Sequence, residues 1–191
     1  MNILTSELPR KIKINETVYD INYDFRTVIN ILLAFEDTEL TDEEKMYIMV
    51  RNLYVDEVPE EDIEEAIKKA IKFIDLGKEE DNSRRESDTR TYSFEKDASY
   101  IFSGINQTHH IDLEEKKDLH WWKFMSMFMD MSPDCMFGEL IYYRKRKAEG
   151  KLNKEERKQY EKIKDLVDLD YVRKPSEARK KFFERFNKNK K

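Results

Sequence analysis

Leu119-His120-Trp121-Trp122-Lys123-Phe124-Met125-Ser126-Met127-Phe128-Met129-Asp130-Met131 is the stretch on which the fold turns. It holds both tryptophans of the chain, one of its three histidines and four of its eight methionines. The chain is 40% charged and 39% hydrophobic, the first well above and the second below an ordinary globular composition. A sequence with so little apolar material concentrates it where a core must form. On a helix, Trp121, Phe124, Phe128 and Met131 share one face, and Trp122, Met125 and Met129 share the next. One face is expected to be core. The other is either more core or an adaptable surface for another chain, because Met and aromatic side chains serve both. Trp121, Trp122, Phe124, Met125, Phe128 and Met129 are therefore the candidate partner-binding residues.

Toward the C-terminus, Ser132-Pro133 reads as an N-cap followed by a first-turn proline, opening a helix that groups Phe137, Leu140, Ile141 and Arg144. Gly150 breaks it. Asn153 with Glu156 has capping-box spacing and opens a helix bearing Tyr160, Ile163 and Leu166. The rest of that helix is charged, which predicts weak packing or an arm. Pro175-Ser176 precedes a last helix with Phe182, Phe183 and Phe186 among Lys and Arg.

Toward the N-terminus, Asp112 with Glu115 predicts the cap of the tryptophan helix. A further helix begins near Ser93, with Phe94, Ala98, Ile101, Phe102 and Ile105 on one face. Lys78–Arg90 contains no apolar side chain and predicts a mobile loop. Before it, Ile63, Ala66, Ile67, Ala70, Ile71 and Ile74 form a 3.6-period stripe, begun after Pro59 and ended by Gly77. Thr41 with Glu44 caps a helix whose inward residues are Met46, Met49, Val50 and Leu53. Asp24 caps another carrying Phe25, Val28, Ile29, Leu32, Leu33 and Phe35. Residues 11–22 alternate around Asn15-Glu16, predicting a β-hairpin with Ile12, Ile14, Val18 and either Tyr19 or Ile21 apolar. The expected architecture is mainly α. It comprises a helical core domain over 1–146, with the hairpin (11–22) and the acidic and polar loop (78–90), and a basic helical extension over 147–191.

Four Gly and four Pro in 191 residues leave little material for the turns of an all-β fold. One cysteine, Cys135, excludes an intramolecular disulfide and fits a reducing cytoplasm. No run of 18 apolar residues suggests a membrane span, and the N-terminus does not resemble a secretory signal. The net charge of −5 hides a polarity: residues 144–191 hold 19 Lys and Arg against 9 Asp and Glu, leaving 17 against 32 before them. The two parts carry +10 and −15, which can steer a partner or stack copies head to tail.

No phosphate-binding, dinucleotide-binding, zinc-protease or serine-hydrolase motif is present, so a non-enzymatic role is expected. His109, His110, His120 and Cys135 lack metal-ligand spacing, and neither metal nor cofactor is expected. The basic residues Arg144–Lys147 and Arg179–Phe186 give nucleic-acid binding as the alternative, weakened by interleaved acids.

Phe94–Ile105 (FEKDASYIFSGI), Ile111–Leu113 (IDL), Leu119–Phe124 (LHWWKF) and the IYYR ending at Arg144 together resemble the gene-product-fifteen family of phages and prophages of Gram-positive bacteria. The resemblance covers residues 3–146, with LHWWKF its most specific block. It implies a tail assembly chaperone that binds the tape measure protein in the host cytoplasm and is absent from the mature virion. It assigns no ligand-contacting residue. The charge polarity, separately, suggests weak homo-oligomerisation by head-to-tail stacking of copies.

Overall fold

The computed structural model describes residues 3–78 and 91–169. The expected loop at 78–90, apart from Lys78, and the last helix with Phe182, Phe183 and Phe186 lie outside them. Within them the protein is mainly helical, with seven α-helices and one N-terminal hairpin.

Strands β1 (Lys11–Ile14) and β2 (Thr17–Asp20) pair antiparallel, with Ile12 opposite Tyr19 and Ile14 opposite Thr17. Asn15 takes the turn's left-handed conformation at φ 50°, which Asn tolerates. This register corrects one expectation. Val18 pairs with Lys13 on the outer face and is 57% exposed, while both Tyr19 and Ile21 turn inward. A hairpin alone is marginal in water. Here the chain after α2 flanks it: Asn22 N–H donates to Leu53 O (2.7 Å) and Val55 N–H to Asp20 O (3.0 Å).

Helices α1 (Phe25–Glu36), α2 (Asp42–Leu53) and α3 (Ile63–Ile74) follow. Asp24 caps α1 through Arg26 N–H, and Thr41 and Glu44 form the expected capping box on α2. Val28 and Ile31 of α1, Met49 and Leu53 of α2, and Ala66 and Ala70 of α3 are buried against one another in a single core. Gly77 ends α3 at φ 75°, its N–H donating to Lys72 O (2.7 Å).

Helices α4 (Ala98–His109), α5 (Trp121–Met129), α6 (Met136–Ala148) and α7 (Lys154–Val167) complete the body. Four expectations need correction here. Asp112 does not cap the tryptophan helix; its carboxylate accepts Glu114 N–H in a turn (2.8 Å). Leu119 and His120 are committed to extended pairing with Tyr23–Phe25, so α5 cannot begin before Trp121. Ser132 likewise does not cap α6: its Oγ accepts Asp134 N–H (3.2 Å) and its carbonyl accepts Cys135 N–H (3.3 Å) in a turn ahead of the helix, and Cys135 Sγ takes the N-cap place. Phe102 points outward at 43% exposure, whereas Phe137, Leu140 and Arg144 of α6 are buried with Ile141 half-buried beside them as expected, and Tyr143 is buried too.

The fourth correction concerns α7. Its Asn153–Glu156 capping box is present as expected, but the helix is packed on α6. Leu140 and Tyr143 of α6 with Tyr160 and Val167 of α7 form a second, smaller buried cluster. The expected boundary between 146 and 147 falls inside α6.

Candidate functional site

The LHWWKF block occupies the junction between the hairpin, α1 and α3, and each residue carries a backbone or ring obligation. Leu119 O accepts Phe25 N–H (2.9 Å), and Trp121 N–H donates to Tyr23 O (2.8 Å). His120 caps α5 by accepting Trp122 N–H on Nδ1 (3.1 Å), which leaves the proton on Nε2 to donate to Pro9 O (2.9 Å). Its ring stacks on Tyr23 at 5.3 Å and meets Phe73 and Trp122 edge-on. Burial holds the imidazole below its ordinary value, and the positive charges of Arg10 and Lys123 push the same way, against the hydrogen bond to Pro9.

The two indoles close the end of α3. Trp121 Nε1–H donates to Ile74 O (2.9 Å) and Trp122 Nε1–H to Phe73 O (2.8 Å). Both carbonyls belong to the last turn of the helix, where carbonyls run short of helical donors, and Phe73 O also accepts Leu76 N–H (3.1 Å). The Trp122 ring lies so close over Gly77 that a Cβ there would stand 2.9 Å from Cη2. Phe124 stacks face to face on Phe25 at 4.5 Å and on Trp121 at 5.8 Å. Phe128 extends the array to Tyr92, Phe94 and Phe137.

Trp121, Trp122, Phe124, Met125 and Phe128 are thus brought together in the core, all buried. Of the six candidate partner-binding residues, Met129 alone stands on the surface, at 61% exposure. Both faces of the apolar stretch serve packing, which accounts for the concentration of aromatic residues in it.

A second buried constellation escaped the sequence reading. Arg144 on α6 makes a bidentate pair with Asp97 just before α4, Nη1 to Oδ2 at 2.6 Å and Nη2 to Oδ1 at 2.9 Å. The same guanidinium donates to Val167 O (2.6 Å), Leu166 O (2.9 Å) and Thr91 O (3.1 Å). Asp97 also accepts Ser93 N–H (2.9 Å). One side chain therefore ties α6 to the end of α7, to the start of α4 and to the irregular chain at Thr91. The signal was present: Asp97 lies in the FEKDA block and Arg144 ends IYYR, two of the stretches that carried the family resemblance. Periodicity predicted Arg144 on the inward face without supplying its partner.

The histidines and cysteine are dispersed. His109 meets Met127 O, His110 ends α4 at φ 52°, His120 is in the hairpin junction, and Cys135 lies beside Gly104. Among the described residues no group of three or more His, Cys, Asp or Glu could hold a metal ion, and no helix is long and apolar enough to cross a membrane.

Comparison with known families gives the decisive finding: the model of the Bacteriophage Gp15 protein family matches residues 4–169. The chain belongs to that family. The Gp15 match takes in the hairpin and all seven helices, and so extends beyond residues 3–146 to include α7. The α6–α7 pairing, with Arg144 at its centre, therefore lies within the Gp15 homology region. No curated protein and no solved structure shows a significant match.

Proposed function

We propose that this Gp15-family chain is a non-enzymatic tail assembly chaperone that binds the tape measure protein in the host cytoplasm and leaves before the virion is complete. Membership of the phage family over residues 4–169 is the observation that carries the reading. The surface chemistry is compatible with it. A long helical client needs adaptable apolar contacts set in a strongly solvated surface, so that binding is reversible. Met129, Phe102 and Tyr47 are exposed apolar or aromatic side chains on a chain that is 40% charged.

The nucleic-acid alternative loses ground on α6 and α7. Arg146 is paired with Glu156, Lys147 with Asp168 and, in the connection between the helices, Lys151 with Glu149, so these cations already have carboxylate partners. Phosphate binding would have to displace them.

Co-expression with the tape measure protein from the same tail gene cluster tests the proposal. The expected result is a soluble, co-purifying client, with recovery reduced by Met129→Ser while the folded protein's circular dichroism is unchanged. An insoluble, unbound client beside a well-folded chain would overturn the reading. Salt-sensitive binding to a DNA duplex would then favour the alternative.

A further inference from the structure

The outer face of the hairpin carries Lys11 and Lys13, paired with Asp20 and Glu16, around an exposed Val18, and no helix among the described residues buries it. Alternation along β2 puts Tyr19 and Ile21 in the core, and therefore Val18 and Asp20 outside. The bridge between Ile21 and Tyr54 places Val55 opposite Asp20, on the same outer side. Val18 is 57% and Val55 58% exposed, both β-branched side chains held rigidly by a paired backbone.

The rim of this face is acidic. From Val55 to Glu65 the chain has seven carboxylates and no cation. Glu65 is paired with Lys68 and Lys69, and Asp62 accepts from Asn15. Asp56, Glu57, Glu60 and Glu61 are exposed and make no ion pair among the described residues. Such a surface fits a partner that presents apolar side chains between cations.

The chain carries that complement itself. Arg179-Lys180-Lys181-Phe182-Phe183-Glu184-Arg185-Phe186 has three phenylalanines among four cations and one acid. It begins beyond α7, whose terminal carbonyls at Leu166 and Val167 are fixed by Arg144 on the α4–α6 side. The hairpin packs instead on α3. The end of α7 and the hairpin pack on different elements, so the complement is taken here from a neighbouring copy.

We propose that the Val18–Val55 face, with its carboxylate rim, docks residues 179–186 of a second copy. The contact joins one surface to a different one, so it is heterologous and repeats head to tail. It stands apart from the chaperone reading and is tested without any client.

The test uses the full chain. Sedimentation at low salt should show mass rising with concentration beyond the monomer, and high salt should reverse the rise. Val55→Lys, and separately Phe183→Ser, should each weaken association about tenfold or more, in the range of a truncated interface anchor. Because Val55 is exposed, tryptophan emission should remain that of the parent. Mixing the single variants Val18→Cys and Phe183→Cys under mild oxidation should give a disulfide-linked pair of chains. A monomer at every concentration, or association indifferent to both substitutions, overturns the proposal. A double variant that cross-links only within one chain overturns the second-copy assignment, and association that requires added nucleic acid overturns the occupant.

Discussion

His120 and Arg144 are the two side chains whose single atoms decide most. His120 can cap α5 only while Nδ1 is unprotonated, since it accepts Trp122 N–H. Burial lowers its value in the fold, so the folded chain binds fewer protons than the unfolded one between the folded value and the ordinary 6.5. Stability from this residue is complete above that ordinary value. It is lost as pH falls through the folded value. Urea midpoints between about pH 7.5 and pH 5 should therefore decline on acidification, and His120→Gln should flatten the decline. An equally steep profile in the variant would assign the effect to other groups. Arg144 differs in kind, being charged throughout this range. Arg144→Met leaves Asp97 buried without its counter-charge and removes donors from three carbonyls, an expected cost of about 3–5 kcal/mol. Equilibrium unfolding in urea measures it, and a cost under about 1 kcal/mol would place the pair among the weak surface bridges.

At the scale of elements, glycines mark where helices approach too closely for a side chain. Gly138 lies inside α6, where Gly→Ala ordinarily stabilises by about 1 kcal/mol. Here a Cβ would stand 2.5 Å from the Pro133 carbonyl oxygen, a backbone atom that cannot swing away. Gly138→Ala should therefore lower the melting temperature rather than raise it, by several degrees for a cost of about 1–3 kcal/mol. Gly150, with no atom within 4 Å of its Cβ position, is free of that clash, so the comparison isolates crowding from left-handed conformation. The same scale shows what the sequence disclosed. Capping at Asp24, Thr41 and Asn153, the α3 stripe and its Gly77 stop are local and were readable from spacing. The starts of α5 and α6 were not: the distant Tyr23–Phe25 hold Leu119–Trp121 extended, and a turn closed by Ser132 O and Cys135 N–H delays α6 to Met136. The candidate site divides in the same way. Periodicity identified Trp121, Phe124 and Phe128 as an apolar face, but burial of the neighbouring Trp122 goes with the bond its indole N–H donates to Phe73 O at the end of α3.

At the scale of the molecule, two buried clusters coexist, a large one centred on α1–α3 and α5 and a small one between α6 and α7. The small cluster has four fully buried side chains and would not fold a helix pair alone. Its polar link to the rest runs through Arg144 and Asp97, together with Lys96, which donates to Asp168 O, beside the apolar contacts of Tyr100 and Phe137. Both tryptophans report only the large cluster, whereas far-UV circular dichroism reports every helix. In the parent the two probes should follow one cooperative urea transition, because α7 cannot detach without breaking the Arg144 bonds to Leu166 O and Val167 O and uncovering the buried Arg144–Asp97 pair. Asp97→Asn keeps the shape of the side chain and removes its charge, so it weakens the link while leaving the aromatic array untouched. Its circular dichroism should begin to fall at lower urea than its tryptophan emission, with the early loss scaled to a helix of 14 residues. Coincident transitions in Asp97→Asn, displaced together to lower urea, would show that the two clusters are one unit held by packing. The paired charges would then contribute stability without joining separable parts.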